Sequence, residues 1–186
     1  MKAPALCNFV YPEEPHHRRG RHPDGVSWAA PVRVLRGPEY DSFTPEAQRA
    51  FWSDEWRVTP NSNRMGYRLE GTPLERAART DLLSHAVLPG TIQVPPNGQP
   101  IVLMSDAQTT GGYPKIGAVI RADLWKLAQV RLTAGLRFVE ATAAVARRAL
   151  QEERAYLLQI DTAIAMQDER HASRRARSAS AQGLGA

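Results

Sequence analysis

Residues 91–120 read TIQVPPNGQPIVLMSDAQTTGGYPKIGAVI, and the fold turns on how that stretch is parsed. Three apolar runs, Thr91–Val94, Ile101–Met104 and Lys115–Ile120, are too short for helices and are cut by Pro and Gly, so they read as strands. Asn97-Gly98 is a turn signal, but Pro95, Pro96 and Pro100 remove ladder donors, which favours an extended rim loop over a two-residue hairpin. Upstream, Trp56–Thr59 and Tyr67–Leu69 have the same texture. Strands this short would leave vulnerable edges in an open sheet, and a closed one spares them.

Working outward, Val32–Leu35 is a further strand that stops at Gly37-Pro38. Thr44-Pro45-Glu46 carries the N-cap and first-turn proline of a helix, with Ala47 and Phe51 on one face. Asp123–Gln129 reads as a short helix and Leu136–Val139 as a last strand. The pattern then becomes helical: Val139, Ala143, Ala146, Leu150, Leu157, Ile160 and Ile164 follow steps of four and three, with Glu153 the polar exception. That stripe can cover the chain's own barrel or meet a partner. The expected organisation is an irregular leader over residues 1–30, a barrel over 31–140, an amphipathic helix over 141–168 and a disordered basic tail over 169–186.

With 186 residues, 42% of them hydrophobic, the chain can bury one ordinary core, and no apolar run approaches membrane length. The net charge of +5 is spread thin, which disfavours a nucleic-acid surface; only RHASRRAR at 170–177 is locally basic. One cysteine, Cys7, allows neither an internal disulfide nor a cysteine zinc site, and the start lacks a secretory pattern, so a cytoplasmic location is expected.

Three segments are dense in ligand-binding residue types. In SNRMGYRLEG, residues 62–71, Arg64 and Arg68 flank a glycine; guanidinium forks match carboxylates, yet they also form ordinary surface ion pairs. In QVPPNGQP, residues 93–100, amides on a proline-stiffened loop suit an amide or ureido group, or simply make a turn. In DAQTTGGYPK, residues 106–115, paired glycines permit close backbone approach, and Lys115 could stabilise developing negative charge with Asp106 orienting it or accepting a proton. The spacing is not that of a P-loop. Ser62, His85 and Asp106 have triad chemistry without a nucleophile-elbow motif, and His16, His17 and His22 lack the spacing of a metal site, so no metal is expected.

In order, the blocks SNRMGYRLEG, PPNGQP and DAQTTGGYPKI, within a match running from about Pro31 to Val139, resemble the C-terminal half of the biotin-dependent carboxyltransferase family. That family includes allophanate hydrolase subunit 2-like proteins, the C subunit of bacterial 5-oxoprolinase and the carboxyltransferase domain of urea carboxylase. The resemblance implies a mainly β, cyclophilin-like barrel with short helices, here followed by a long C-terminal helix. It also implies a subunit that lends a pocket for a small amide such as pyroglutamate or urea. Carried onto this chain, the pocket comprises Lys115 and Asp106 as catalytic residues, and Asn63, Arg64, Tyr67, Arg68, Gln93, Asn97, Thr109, Thr110 and Tyr113 as substrate contacts. No lysine here has the Met-Lys-Met setting of a biotinyl domain, so the biotin carrier or ATP would come through partner subunits. The implied partners are a B-subunit-like protein and a first-barrel domain on another chain. The alternative is a non-enzymatic module that pairs with a B-subunit-like kinase-inhibitor protein.

Overall fold

The computed structural model describes residues 31–78 and 82–182, so the leader, with its histidines and Cys7, lies outside the described residues. Ten strands form in chain order: β1 (Val32–Arg36), β2 (Trp56–Val58), β3 (Gly66–Glu70), β4 (His85–Ala86), β5 (Thr91–Gln93), β6 (Ile101–Leu103), β7 (Thr110–Gly111), β8 (Lys115–Val119), β9 (Gly135–Leu136) and β10 (Phe138–Glu140). Three α-helices accompany them: α1 (Pro45–Ser53), α2 (Leu124–Gln129) and α3 (Ala143–Gln182).

Eight strands make one sheet in the order β10-β1-β8-β5-β6-β3-β2-β9, and β4 with β7 makes a separate ribbon. The outermost strands of that order, β9 and β10, are consecutive in sequence with only Arg137 between them. Leu136 pairs antiparallel with Trp56 on one side, and Phe138 pairs in parallel with Val32 on the other. The Val32 N–H also donates to the Arg137 carbonyl at 2.9 Å. One short segment thus bonds both rims of the sheet and curls it into a nearly closed barrel, as the short, proline-cut strands require. The single last strand expected over Leu136–Val139 is these two pieces.

The interior is filled by Val34, Val58, Leu69, Ile92, Val102, Ile116 and Leu136, each at most 1% exposed. Helix α1 closes it. Thr44 Oγ1 accepts from the Ala47 N–H at 3.2 Å, Pro45 occupies the first turn, and the buried face carries Ala47 and Phe51. The Phe51 ring meets Phe138 at 5.0 Å between centroids and Trp52 edge-on at 4.6 Å. Gly117 makes room for the neighbouring strand β1, because a Cβ there would lie 2.6 Å from Val34 Cγ1.

A buried carboxylate ties β1 to the turn that leads into α2. Asp123 is fully buried and accepts from Nε and Nη2 of Arg33, at 3.0 and 2.7 Å, and from the Arg33 backbone N–H at 2.8 Å; Lys126 Nζ stands 3.3 Å away. Burial alone would raise its pKa, but the hydrogen bonds from Arg33 and the charges of Lys126 and Arg33 outweigh that and hold it below the ordinary carboxylate value.

Helix α3 starts after Thr142, whose Oγ1 accepts from the Val145 N–H at 3.3 Å. Ala149, with Ala146 beside it, packs on Ile120 and Ala141. Beyond Leu150 the stripe leaves the barrel: Leu157, Ile160 and Ile164 are 57%, 39% and 54% exposed, so the helix does not cover its own core. Val139, placed in the stripe by its spacing, belongs to β10. The helical backbone runs on to Gln182, past the end expected near residue 168. No helix among the described residues is long and apolar enough to cross a membrane.

Asp123→Ala, which removes the buried acceptor of the Arg33 guanidinium and of the Arg33 backbone N–H, should lower the unfolding free energy by about 3–5 kcal/mol in urea melts at neutral pH. Because the folded pKa lies below the unfolded one, this contribution is present above the unfolded carboxylate pKa of about 3.9 and disappears as pH falls through the folded value. Wild type and variant should converge in strong acid.

Candidate functional site

The barrel wall sorts its side chains by register. Tyr67 pairs with Val102, Val102 with Ile92 and Ile92 with Gly117, and this row faces the core. Direct antiparallel partners share a face and successive residues alternate. The next row, Arg68 with Ile101, Ile101 with Gln93 and Gln93 with Lys115, therefore lies on the outer face at one end of the barrel. A register shift between Ile92 and Gln93 accommodates the extra residue Ile116.

The β4–β7 ribbon roofs the Gln93–Lys115 end of that row. Gly111 in β7 lies so close that a Cβ there would sit 2.4 Å from Gln93 Nε2. Beneath the ribbon Lys115 is 4% exposed, and its ammonium donates to the carbonyls of Tyr113 at 3.2 Å and Gly111 at 3.3 Å; His85 Nδ1 stands 3.3 Å from it and 3.2 Å from the Leu83 carbonyl, so this nitrogen accepts from Lys115 in one tautomer and donates to Leu83 in the other. The two carbonyls, with His85 Nδ1 as a third acceptor when the imidazole proton sits on Nε2, supply the hydrogen bonds a buried ammonium requires. Glu39 completes the group. Its Oε2 accepts from the Lys115 N–H at 2.9 Å, and its Oε1 stands 3.9 Å from His85 Nε2. Burial pushes the Lys115 pKa below the ordinary lysine value, and the Glu39 carboxylate partly opposes it.

Gln93 is 2% exposed, yet its Nε2 has no acceptor. A buried unspent donor costs about 1–3 kcal/mol, and it is the kind of group that a carbonyl or carboxylate oxygen would satisfy. The cluster reaches solvent through His85 and Tyr113, whose side chain and residue are 46% and 47% exposed.

The expected site residues fall into separate groups. Gln93, Lys115 and Tyr113 come together, with Thr109 and Thr110 exposed along the ribbon, where the Thr109 carbonyl accepts from Val87 and Thr110 pairs with Ala86. Asp106 does not orient Lys115. Its carboxylate pairs with Arg64 at 3.0 Å in an exposed contact next to the β3 hairpin tip, so Arg64 is a surface ion pair there. Asn63 spends its Oδ1 on the Met65 and Gly66 N–H groups of the same tip. Asn97 uses its Oδ1 to cap the Gln99 N–H, on a loop held to Gly71 by the Gln99 amide, so it builds the turn. Tyr67 is inward-facing, and Arg68 is exposed on the outer row, with Ile101 and Gln93 between it and Lys115. Ser62, His85 and Asp106 do not meet: Ser62 bonds the Arg68 backbone, His85 joins Lys115, and Asp106 joins Arg64.

Glu39, 76 residues from Lys115, is not visible as a site residue in the sequence, and His85, 30 residues away, stands out there only with Ser62 and Asp106, which it does not meet. The signal available is Gly37-Pro38-Glu39. Gly37 abuts the Lys115 carbonyl so tightly that a Cβ would lie 2.1 Å from it, and that contact delivers Glu39. Among the described residues no group of His, Cys, Asp and Glu could hold a metal ion.

The chain belongs to the carboxyltransferase domain family: the model "Carboxyltransferase domain, subdomain A and B" matches residues 9–140, which include the nearly closed sheet and the Lys115 cluster. The match reaches back into the leader, which local sequence pattern leaves outside the barrel. Among curated relatives, the C subunit of Escherichia coli 5-oxoprolinase is 50% identical over 133 residues, 72% of this chain and 43% of its own. The corresponding Haemophilus influenzae 5-oxoprolinase protein is 48% identical over 129 residues, 69% of this chain and 42% of its own. The crystal structure of K. lactis urea amidolyase superposes with a TM-score of 0.60 at 29% identity, covering 64% of this chain and 8% of that one. The chain thus spans less than half the length of these curated relatives.

With only three lysines in the chain, 13Cε-lysine NMR can resolve the titration of Lys115. Its midpoint should lie below about 10.4, and Glu39→Gln should move it further down, because the carboxylate supports the charged form. In the interval between folded and unfolded pKa the folded state binds fewer protons, so stability should rise with pH there. A midpoint at the ordinary value, or an upward move in the variant, contradicts the arrangement.

Proposed function

We propose that this chain acts as a subunit of a 5-oxoprolinase-type complex, in which a small lactam or amide is met at the Lys115 cluster. The observation that carries this reading is the buried, pKa-lowered Lys115 beside the unsatisfied Gln93 amide, both inside the family-matched region. Ring opening is favoured over carboxyl transfer because identity is 50% to a 5-oxoprolinase subunit and 29% to a urea amidolyase.

The chemistry follows from the donors. A substrate carbonyl or carboxylate oxygen that displaced the Gly111 carbonyl from Lys115 would take hydrogen bonds from both Nζ and Gln93 Nε2. Those bonds would strengthen as negative charge developed on that oxygen. His85, between Lys115 and Glu39, is placed to pass a proton between the cluster and solvent. Entry needs the β4–β7 ribbon to shift, and Gly111 and Gly112 give it backbone freedom. The remaining pocket walls, and ATP, come from a B-subunit-like partner; were carboxyl transfer the reaction, a biotin carrier would come the same way.

Co-expression with the neighbouring B-type subunits, followed by measurement of glutamate and ADP released from pyroglutamate and ATP, tests this directly. Lys115→Met should reduce kcat by at least about 100-fold, while Arg64→Ala, in its exposed ion pair, should leave turnover unchanged. A complex that assembles without turnover would replace the enzymatic reading with the pairing module. Full activity in Lys115→Met would remove the cluster from the chemistry.

A further inference from the structure

Helix α3 begins just past residue 140, where the family match ends, and carries a charge row with an order of its own. Arg147, Arg154, Asp161 and Asp168 stand seven residues apart, all exposed, beside the stripe Leu150, Leu157, Ile160 and Ile164. Among the described residues none of these four charges has an ion-pair partner within its own chain, whereas Arg148 on another face is already paired with Glu152 at 2.8 Å. The barrel covers the stripe only at its start, through Ala146 and Ala149.

We infer that α3 is a self-association helix whose occupant is the same helix of a second copy, running antiparallel. The row reads plus, plus, minus, minus, and its midpoint falls between Leu157 and Leu158. In an antiparallel pair about that point, Arg154 meets Asp161 of the second copy and Arg147 meets Asp168, and each contact repeats across the dyad. The apolar pair Leu157 and Ile160 is centred within about one residue of that point, the offset expected between core layers and flanking charges, so both patterns fit one antiparallel pair. The central layers are Leu157 against Ile160 of the second copy, twice, flanked on each side by Glu153 against Ile164 and then Leu150 against Gln167. A parallel, in-register pair would set this row against Ala149, Tyr156, Ala163 and Arg170, which offer it no acid for either arginine and no base for Asp161. Antiparallel order is therefore the one that the charges select.

Sedimentation equilibrium on the full chain tests this. The wild type should approach twice the 20.6 kDa chain mass with rising concentration. Arg154→Asp and Asp161→Arg, each turning two attractive contacts per dimer into repulsive ones, should weaken association by about tenfold or more. The double variant, which restores opposite charges only in the antiparallel order, should return to near wild-type affinity. Leu157→Asp should give a monomer with unchanged barrel circular dichroism. A wild type that stays at 20.6 kDa to about 200 µM, as it would if the helix served a different protein, overturns the inference. So does a dimer indifferent to Leu157→Asp, or a double variant no tighter than the singles.

Discussion

Everything in this fold hangs on the segment Gly135–Glu140 bonding two strands that are otherwise the free rims of one sheet. Strands of two to five residues bury little by themselves, and an open sheet built from them would expose donors and acceptors along both edges. Once Leu136 is against Trp56 and Phe138 against Val32, the inward residues of every strand face a common interior and Phe51 can be driven into it from α1. Closure also fixes what is outside. The row from Arg68 to Lys115 faces outward because its neighbours Tyr67, Val102 and Ile92 face inward.

The site is a consequence of that geometry. A lysine on the outer wall would ordinarily reach solvent, but the β4–β7 ribbon lies over it, and the chain answers with two carbonyls and the His85 ring around the ammonium and a carboxylate on its backbone N–H. The same roof leaves the Gln93 amide short of an acceptor. A lysine held by two carbonyls beside an amide with no acceptor is an uneven arrangement for a purely structural core, and that unevenness motivates the proposal of substrate contact at this end of the barrel. Gly111 is where the roof touches the amide, so local ribbon motion and access to the cluster are coupled.

Much of this is legible in the sequence where the signal is local. The β runs around Thr91, Ile101 and Lys115, the Thr44-Pro45 helix start with Ala47 and Phe51 inward, and the preference for a closed sheet all follow from period, proline and capping chemistry over a few residues. The site is legible only in part. Loop composition singles out Lys115 and Gln93, but it also sets Asp106 beside Lys115 because the two share a motif, and nearness in sequence is a poor guide once the loop between them crosses the outside of a barrel. Glu39 and His85 arrive through strand pairing and through the close approach of Gly37, neither of which leaves a periodic trace. The stripe of α3 is visible, but whether the barrel covers it depends on the direction in which Thr142 launches the helix.

The most direct test of the central claim is 13Cε-lysine NMR of the chain assembled with the proposed B-type subunit and titrated with pyroglutamate. The Lys115 resonance should shift on addition while Lys2 and Lys126 hold still. A response at Lys126, or at no lysine while the complex turns over, would place the chemistry elsewhere in the assembly.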